Sequence, residues 1–550
     1  MRTIERRIGL LFAGFLLCFL VVAVRAVWVQ GVRGPQLASE AAYQQTETIE
    51  VPGLRGGLLD RYGNPLAVSE DAATIYATPY QVKDPVSAAQ RLARILDADR
   101  EELLRSLTAD SGFSYVAKKV DLPTAARIER LELPGIGQLP DSRRTYPQGE
   151  LAAQVLGVVG DEDEGRTGLE VGEEDALAGS DGERRIVKDA LGEAIRLETV
   201  SEASDGEDVR LTLDPAIQKE TEAALAGVGE AFAPKGATAI VMDPRDSDVL
   251  AMANWPPVDP SDLSEAETED LLNRATGFTY EPGSTFKAFT VAAALEDKKV
   301  TPDSSFTLEP TIQVADRTIE ESHPRGTETL SVAEILAHSS NVGAVTIGLG
   351  LGSERFSRWI ERFGFGRPTG VRYPGEEQGI VPALENYSGS TMGNLPIGQG
   401  LSVTPMQMMA AYAALANGGI LRPPRLIDSV GGEPEPRQKG KRIIDPSVAA
   451  EVRTMLEGVL APGGTASEVS VPGYTLAGKT GTAEVAENGT YSDTKFVASF
   501  IGFAPAQNPR LLVAVVVDQP QGEIYGGTVA APAFGQIAEF ALPYLGVAPE

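Results

Sequence analysis

Arginines and polar residues open the chain, and an unbroken apolar run over residues 8–24 follows. Arg25 interrupts the run, and Ala26-Val27-Trp28-Val29 resumes it. As a helix, such a run is close to the lower limit of roughly 17–25 residues for a bilayer span. Arg2, Arg6 and Arg7 predict that the N-terminus stays in the cytoplasm, and Trp28 suits the far interface. A cleavable signal peptide, cut near Val24-Arg25-Ala26, is the rival reading; the length of the run favours an uncleaved anchor. No second run of this length occurs, so one crossing is expected.

Beyond the anchor the pattern becomes that of a globular protein. Residues 30–50 are polar and alanine-rich, as in a juxtamembrane stalk. Tyr62-Gly63-Asn64-Pro65 is a tight turn between two apolar stretches and predicts a hairpin. Helical spacing of Leu, Ala and Arg occupies residues 85–110 and 123–132. Residues 141–212 mix glycine-rich turns with short strands such as 209–213. Asp214-Pro215 starts a helix that runs to about Leu225, with Asp as cap and Pro at the first helical position. Residues 236–244 predict a buried strand, 248–254 its antiparallel partner, 496–503 and 511–518 the last strands, and 531–542 a closing helix. The expected organisation is tail and anchor 1–29, stalk 30–50, a mixed pedestal 51–212 and one large α/β unit 213–550.

Composition narrows the function classes. The 550 residues carry 77 Asp and Glu against 48 Lys and Arg, a formal charge of -29. That balance argues against nucleic acid or an anionic membrane surface as the main partner. The single cysteine, Cys18, lies inside the apolar run, which leaves no intramolecular disulfide, CxxC metal site or cysteine nucleophile in a soluble domain. The two histidines, His323 and His338, form no HExxH motif.

Three short motifs then stand in order: Ser284-Thr285-Phe286-Lys287, Ser339-Ser340-Asn341 and Lys479-Thr480-Gly481-Thr482. Pro282-Gly283 breaks structure ahead of the first, and a compact apolar helix follows. Ser284 is therefore expected at a helix start, where free N–H groups favour negative charge. Lys287, three residues on, shares its helix face. A serine needs a base to become a good nucleophile, and a neutral lysine serves. The ordinary lysine pKa of about 10.4 must then fall. A second ammonium about 4 Å away would disfavour the charge by roughly 4 kcal/mol at an effective dielectric near 20. Lys479 is the candidate neighbour, and burial acts in the same direction.

In the second motif a hydroxyl, Ser339, can relay a proton, and a carboxamide, Asn341, can hold a substrate amide. In the third, Gly481 on a strand lets a peptide approach the backbone closely. Lys479 and Thr480 would hold a carboxylate. The N–H groups of Thr482 and Ser284 would form an oxyanion hole, in which one donor is typically worth about 3–4 kcal/mol. Spacing alone is weak, since Ser492-Asp493-Thr494-Lys495 repeats the first pattern in a polar segment. Each motif by itself is more readily a cap, a turn or a surface loop; the ordered set carries the signal. A Ser-His-Asp site around His338 is the histidine-based alternative, and no Gly-x-Ser-x-Gly elbow supports it.

These residues resemble the class B penicillin-binding proteins, the monofunctional transpeptidases. Arg55-Gly56-Gly57-Leu58-Leu59-Asp60-Arg61-Tyr62-Gly63-Asn64 is similar to that family's opening pedestal motif, with Tyr62 where the family often has asparagine. Arg144-Thr145-Tyr146-Pro147, Gly168-Leu169-Glu170 and Leu177-Ala178-Gly179 resemble its later pedestal motifs. Tyr280-Glu281-Pro282-Gly283 ahead of Ser284, Gly398-Gln399-Gly400-Leu401-Ser402-Val403-Thr404-Pro405 and Tyr525-Gly526-Gly527-Thr528 resemble the septal branch. The elongation branch shares several of these. The second motif has Ser340 where many β-lactamases have Asp.

The resemblance implies an α/β fold: a membrane anchor, an elongated mixed α+β pedestal and a serine β-lactamase-like domain with a central antiparallel sheet flanked by helices. It implies D,D-transpeptidation of peptidoglycan stem peptides through a Ser284 acyl-enzyme, with β-lactams as inhibitors and no metal or organic cofactor. The site would comprise Ser284, Lys287, Ser339, Asn341, Lys479, Thr480, Gly481 and Thr482. Implied partners are the membrane, through the N-terminal helix, a SEDS-family glycosyltransferase and other divisome membrane proteins, with no nucleic acid. A D,D-carboxypeptidase or β-lactamase on the same site, and a non-catalytic β-lactam sensor, are the alternatives.

Overall fold

The computed structural model describes residues 2–34, 36, 46–188, 194–487 and 490–550. Its chain packs into two units. One comprises Met1–Leu54, Asp71–Arg143 and Gly179–Gly206, and the other Arg55–Glu70, Arg144–Ala178 and Glu207–Glu550.

In the first unit, the expected anchor is the helix Arg2–Trp28, extended by a π-turn at Val29–Arg33. Its leucines and phenylalanines are exposed, as suits a segment whose solvent is lipid. Residues 35 and 37–45 of the expected stalk lie outside the described residues. A three-stranded antiparallel sheet follows from Thr46–Val51, Gly182–Lys188 and Ala194–Ser201. A separate small core gathers Ile75, Leu92, Leu103, Leu107 and Ile128. The helical stretch predicted over 85–110 forms two helices, Pro85–Leu96 and Arg100–Leu107, and the one predicted over 123–132 forms Leu122–Glu129. Each is capped by an aspartate (Asp84, Asp99, Asp121) that accepts orphan backbone N–H groups.

The second unit holds the predicted hairpin. Leu58–Leu59 pairs with the strand that starts at Pro65. Asp60 closes the turn by accepting from the N–H of Tyr62 and Asn64 at 2.8 and 2.9 Å. Arg55 and Arg144 are buried and converge on one carboxylate, Glu170, at 2.6 and 2.8 Å. Removing either guanidinium would leave a buried charge short of a partner, at a cost typically of about 3–5 kcal/mol.

The main sheet has five antiparallel strands in the order Asp248–Trp255, Gly236–Asp243, Leu511–Asp518, Thr490–Ala504 and Ala477–Glu487. Every residue of Leu511–Asp518 is buried, so both faces are covered. The helices Pro215–Phe232 and Ala531–Tyr544 pack on this sheet and on each other, and Pro405–Ala416 also packs on it. The Pro215 helix starts on the Asp214 cap, as expected, and runs beyond the predicted Leu225 to Phe232. Ala477–Glu487 forms one edge of the sheet, and the turn that carries Ser284 packs against it.

Candidate active site

Ser284 lies on a single 3-10 turn, Gly283–Phe286, that feeds the buried helix Lys287–Glu296. Two hydrogen bonds fix the turn: Thr285 Oγ1 donates to Pro282 O at 2.7 Å, and the buried Tyr412 hydroxyl donates to Thr285 O at 2.6 Å. The Ser284 side chain is half-buried and lines a cleft of about 660 Å³. Ser339, Asn341, Thr480 and Thr482 line the same cleft. Lys287 and Lys479 lie beneath its wall, each essentially without solvent exposure. Gly481 is buried as well, and a side chain there would overlap Ser499 Oγ. The structure thus brings together all eight residues singled out in the sequence.

Lys287 is held from three sides. Its Nζ donates to Ser339 O at 2.5 Å, to Asn341 Oδ1 at 2.6 Å and to Ser339 Oγ at 3.2 Å. Ser339 takes up a left-handed conformation (φ 58°), unusual for a residue with a side chain, and this turns both its carbonyl and its hydroxyl toward the amine. Burial pushes the Lys287 pKa from 10.5 down to about 7; Glu321 opposes that fall and Arg325 adds to it. The motifs alone point to the Lys479 ammonium as the main source of that depression. Desolvation is the larger cause, and the repulsion acts on Lys479, whose pKa falls far below its usual value through burial and then through Lys287. Three donated bonds belong to the ammonium; the neutral amine keeps two of them, to Ser339 O and Asn341 Oδ1, and its lone pair is then free to take a proton.

Lys479 Nζ contacts Thr480 O and Thr480 Oγ1, both at 3.3 Å, and Thr480 Oγ1 shares a 2.7 Å hydrogen bond with Thr465 Oγ1. A carboxylate arriving here would favour the charged amine that burial disfavours. The Asn341 amide is engaged at both ends in this structure, since its Nδ2 donates to Glu320 O at 2.8 Å. Holding a substrate amide would require exchange of one of those bonds.

The sequence did not mark Glu321. Its carboxylate accepts from Ser340 Oγ and Asn341 N, both at 2.7 Å, and from Val342 N at 3.3 Å, and it pairs with Arg325. Ser340 in turn caps the helix Asn341–Leu351 by accepting from Gly343 N at 2.9 Å. A carboxylate at this helix start satisfies orphan N–H groups and meets the positive end of the dipole. Burial would raise its pKa, but the bond to Arg325 first, then those to Ser340 Oγ and Asn341 N, hold it low. On the opposite wall, a side chain at Gly526 would overlap the carbonyls of Ser499 and Gly481, so glycine is required there.

The alternatives find no comparable site. His338 is exposed at the C-terminal end of the helix Val332–Ala337, where its N–H bonds Glu334 O. The second SxxK, at Ser492, lies in the long strand rather than a loop. Its hydroxyl caps Thr494 N and Lys495 N, and Lys495 pairs with Glu487 at 2.5 Å.

Two family models match the chain: the penicillin binding protein transpeptidase domain over residues 237–539 and the penicillin-binding protein dimerisation domain over 50–211. Stage V sporulation protein D of Bacillus subtilis is 35% identical over 563 residues, covering 100% of this chain and 87% of the relative. Peptidoglycan D,D-transpeptidase FtsI of Escherichia coli is 32% identical over 556 residues, covering 100% and 93%. Among solved structures, penicillin-binding protein 3 of Mycobacterium tuberculosis complexed with aztreonam matches with a TM-score of 0.72 and 30% identity, over 91% of this chain and 98% of that one.

Proposed function

The chain belongs to the class B penicillin-binding proteins, and from that premise we propose that it is a peptidoglycan D,D-transpeptidase acting through a Ser284 acyl-enzyme. The observation that carries this reading is the buried Lys287 amine, pushed to a pKa of about 7, beside Ser339 and Asn341 under the Ser284 cleft. Ser284 Oγ attacks the penultimate D-Ala carbonyl of a stem peptide while Lys287 takes its proton. The oxyanion forms against the N–H groups of Ser284 and Thr482. Ser339 Oγ relays the proton to the departing D-Ala amine, and the C–N bond breaks to leave the ester. An amine of a neighbouring stem then attacks the ester, forms the cross-link amide and returns Ser284 Oγ–H. Lys479 and Thr480 hold the terminal carboxylate of the substrate or of a β-lactam, and Asn341 orients the substrate amide.

Residues 51–212 serve in this proposal as the pedestal and 213–550 as the transpeptidase domain. The N-terminal helix anchors the protein as a single-pass membrane protein, with the catalytic domain outside the cytoplasm. The resemblance of Tyr280-Glu281-Pro282-Gly283, of residues 398–405 and of Tyr525-Gly526-Gly527-Thr528 to the septal branch supports a role in septal wall synthesis at cell division, alongside a SEDS-family glycosyltransferase and other divisome proteins. A tagged copy is expected at mid-cell; uniform side-wall labelling would replace the septal role with an elongation one.

A fluorescent penicillin should label the protein covalently, and Ser284→Ala should abolish the label. Labelling that survives this substitution would remove Ser284 as nucleophile. With a model stem peptide, transfer to an added amine distinguishes the transpeptidase from a carboxypeptidase, which would transfer only to water.

A further inference from the structure

A second concavity, of about 680 Å³, shares no lining residue with the Ser284 cleft. One wall is the helix Ser353–Arg362, which buries Phe356, Trp359 and Ile360 and leaves Arg358 and Arg362, one turn apart, exposed. Arg362 stacks on Trp359, with its guanidinium 4.4 Å from the ring centroid. The chain then turns through Gly364, and Arg367 comes back beside it. Gln407 Nε2 fixes that return by donating to Arg367 O at 2.8 Å. The facing wall comes from Ile420–Leu421 paired antiparallel with Lys441–Arg442, which places Arg422, Lys439 and Lys441 on the groove.

Six cations therefore line this groove against one carboxylate, Glu361. None of the six forms an ion pair among the described residues. Arg355, on the same helix but outside the groove, has Asp297 at 3.7 Å, and the nearby Arg425 has Asp248 at 2.6 Å. The concentration of positive charge is not a by-product of a basic composition, since the chain as a whole carries -29. Like charges gathered in a concave surface repel one another and focus a field that draws in anions.

We propose that this groove binds an extended phosphate-bearing polymer. Four of the six cations are arginines, whose planar forks meet phosphate oxygens in pairs. The volume exceeds that of one ion and admits several units of a chain. No large exposed apolar side chain lines the groove, whereas a protein partner would be expected to meet aromatic or aliphatic anchors. The polymer is thus held by charge, and its binding depends on salt through release of its counterions.

The test uses the full-length protein in detergent micelles and fluorescently labelled linear inorganic polyphosphate, followed by anisotropy. Wild type should bind saturably, with affinity falling steeply as salt rises. The double reversal Arg362→Glu with Arg422→Glu should weaken binding at least tenfold and flatten the salt dependence. Arg355→Glu, outside the groove, should change it less than twofold. Thermal melts check that the variants are folded, and single reversals replace the double one if it is not. Equal binding by wild type and the groove variants would overturn the proposal. So would a poly-glutamate peptide that binds as tightly as polyphosphate, which would point to an acidic protein segment instead.

Discussion

Lys287→Met should make the protein's stability less dependent on pH, by an amount that follows from the burial of the amine. The Lys287 side chain is 1% exposed, and its pKa falls from 10.5 to about 7 on folding. Between those values the unfolded chain binds a proton that the folded site does not. Folding stability therefore rises with pH across the window and is lost as pH falls from 10.5 to 7. The slope is about 1.4 kcal/mol per pH unit, so the full shift corresponds to about 5 kcal/mol. From pH 9 to pH 7 the wild type should lose about 2–3 kcal/mol relative to Lys287→Met, with little further change below 7. Methionine also strands Ser339 O and Asn341 Oδ1, but that penalty is an offset independent of pH. Removing the Lys287 charge lets Lys479 keep its proton more easily, which acts in the same direction. The assay is urea denaturation of both proteins, followed by tryptophan fluorescence at pH 7, 8 and 9. A difference between them that stays constant across the three values would refute the reasoning.

Three further outcomes are expected. Acylation by a β-lactam should slow roughly tenfold per unit as pH drops below about 7, and Lys287→Arg should be nearly inactive because arginine stays protonated; a rate that holds flat to pH 5.5 in stopped-flow labelling would remove Lys287 as base. Glu321→Gln should lower stability by about 2–4 kcal/mol, through charge-assisted bonds to Ser340 Oγ and Asn341 N. It should also move the acid limb of acylation to lower pH, since Glu321 raises the Lys287 pKa; an unmoved limb would show that Glu321 supports only the fold. Gly526→Ala should force the Ser499 and Gly481 backbones apart and cut acylation at least tenfold, and normal labelling kinetics would disprove that the close approach matters.

What the sequence revealed about the site depended on how local each cause was. The turn ahead of Ser284, the Lys287 spacing and the Asp214-Pro215 helix start are written in neighbouring residues, and the folded chain reproduces them. The antiparallel partner of Gly236–Asp243 was equally legible from two continuous apolar runs and the tight turn between them. Glu321 was not, because its hydrogen-bond partners lie 19 to 21 residues away across a polar segment without a motif. The cause of the Lys287 pKa was mistaken for a similar reason. A second lysine can be seen in a motif, whereas desolvation belongs to the packed helices around it. The Ser492 pattern shows the converse, a correct spacing with an exposed setting.

The strand order of the main sheet also bears on how the protein is made. Its middle strand, Leu511–Asp518, pairs on one side with Gly236–Asp243, about 270 residues earlier in the chain. A ribosome delivers Ser284 and Lys287 long before that strand exists. Until it arrives, the first two strands expose an apolar edge, and the hairpin of the Lys479 strand with Thr490–Ala504 has nothing to join it to them. Closing so long a loop is slow relative to forming local helices. The catalytic cleft is therefore assembled late, once Leu511–Asp518 has been synthesised and has joined the two halves of the sheet, and until then the nascent chain holds Ser284 and Lys287 in an unreactive form.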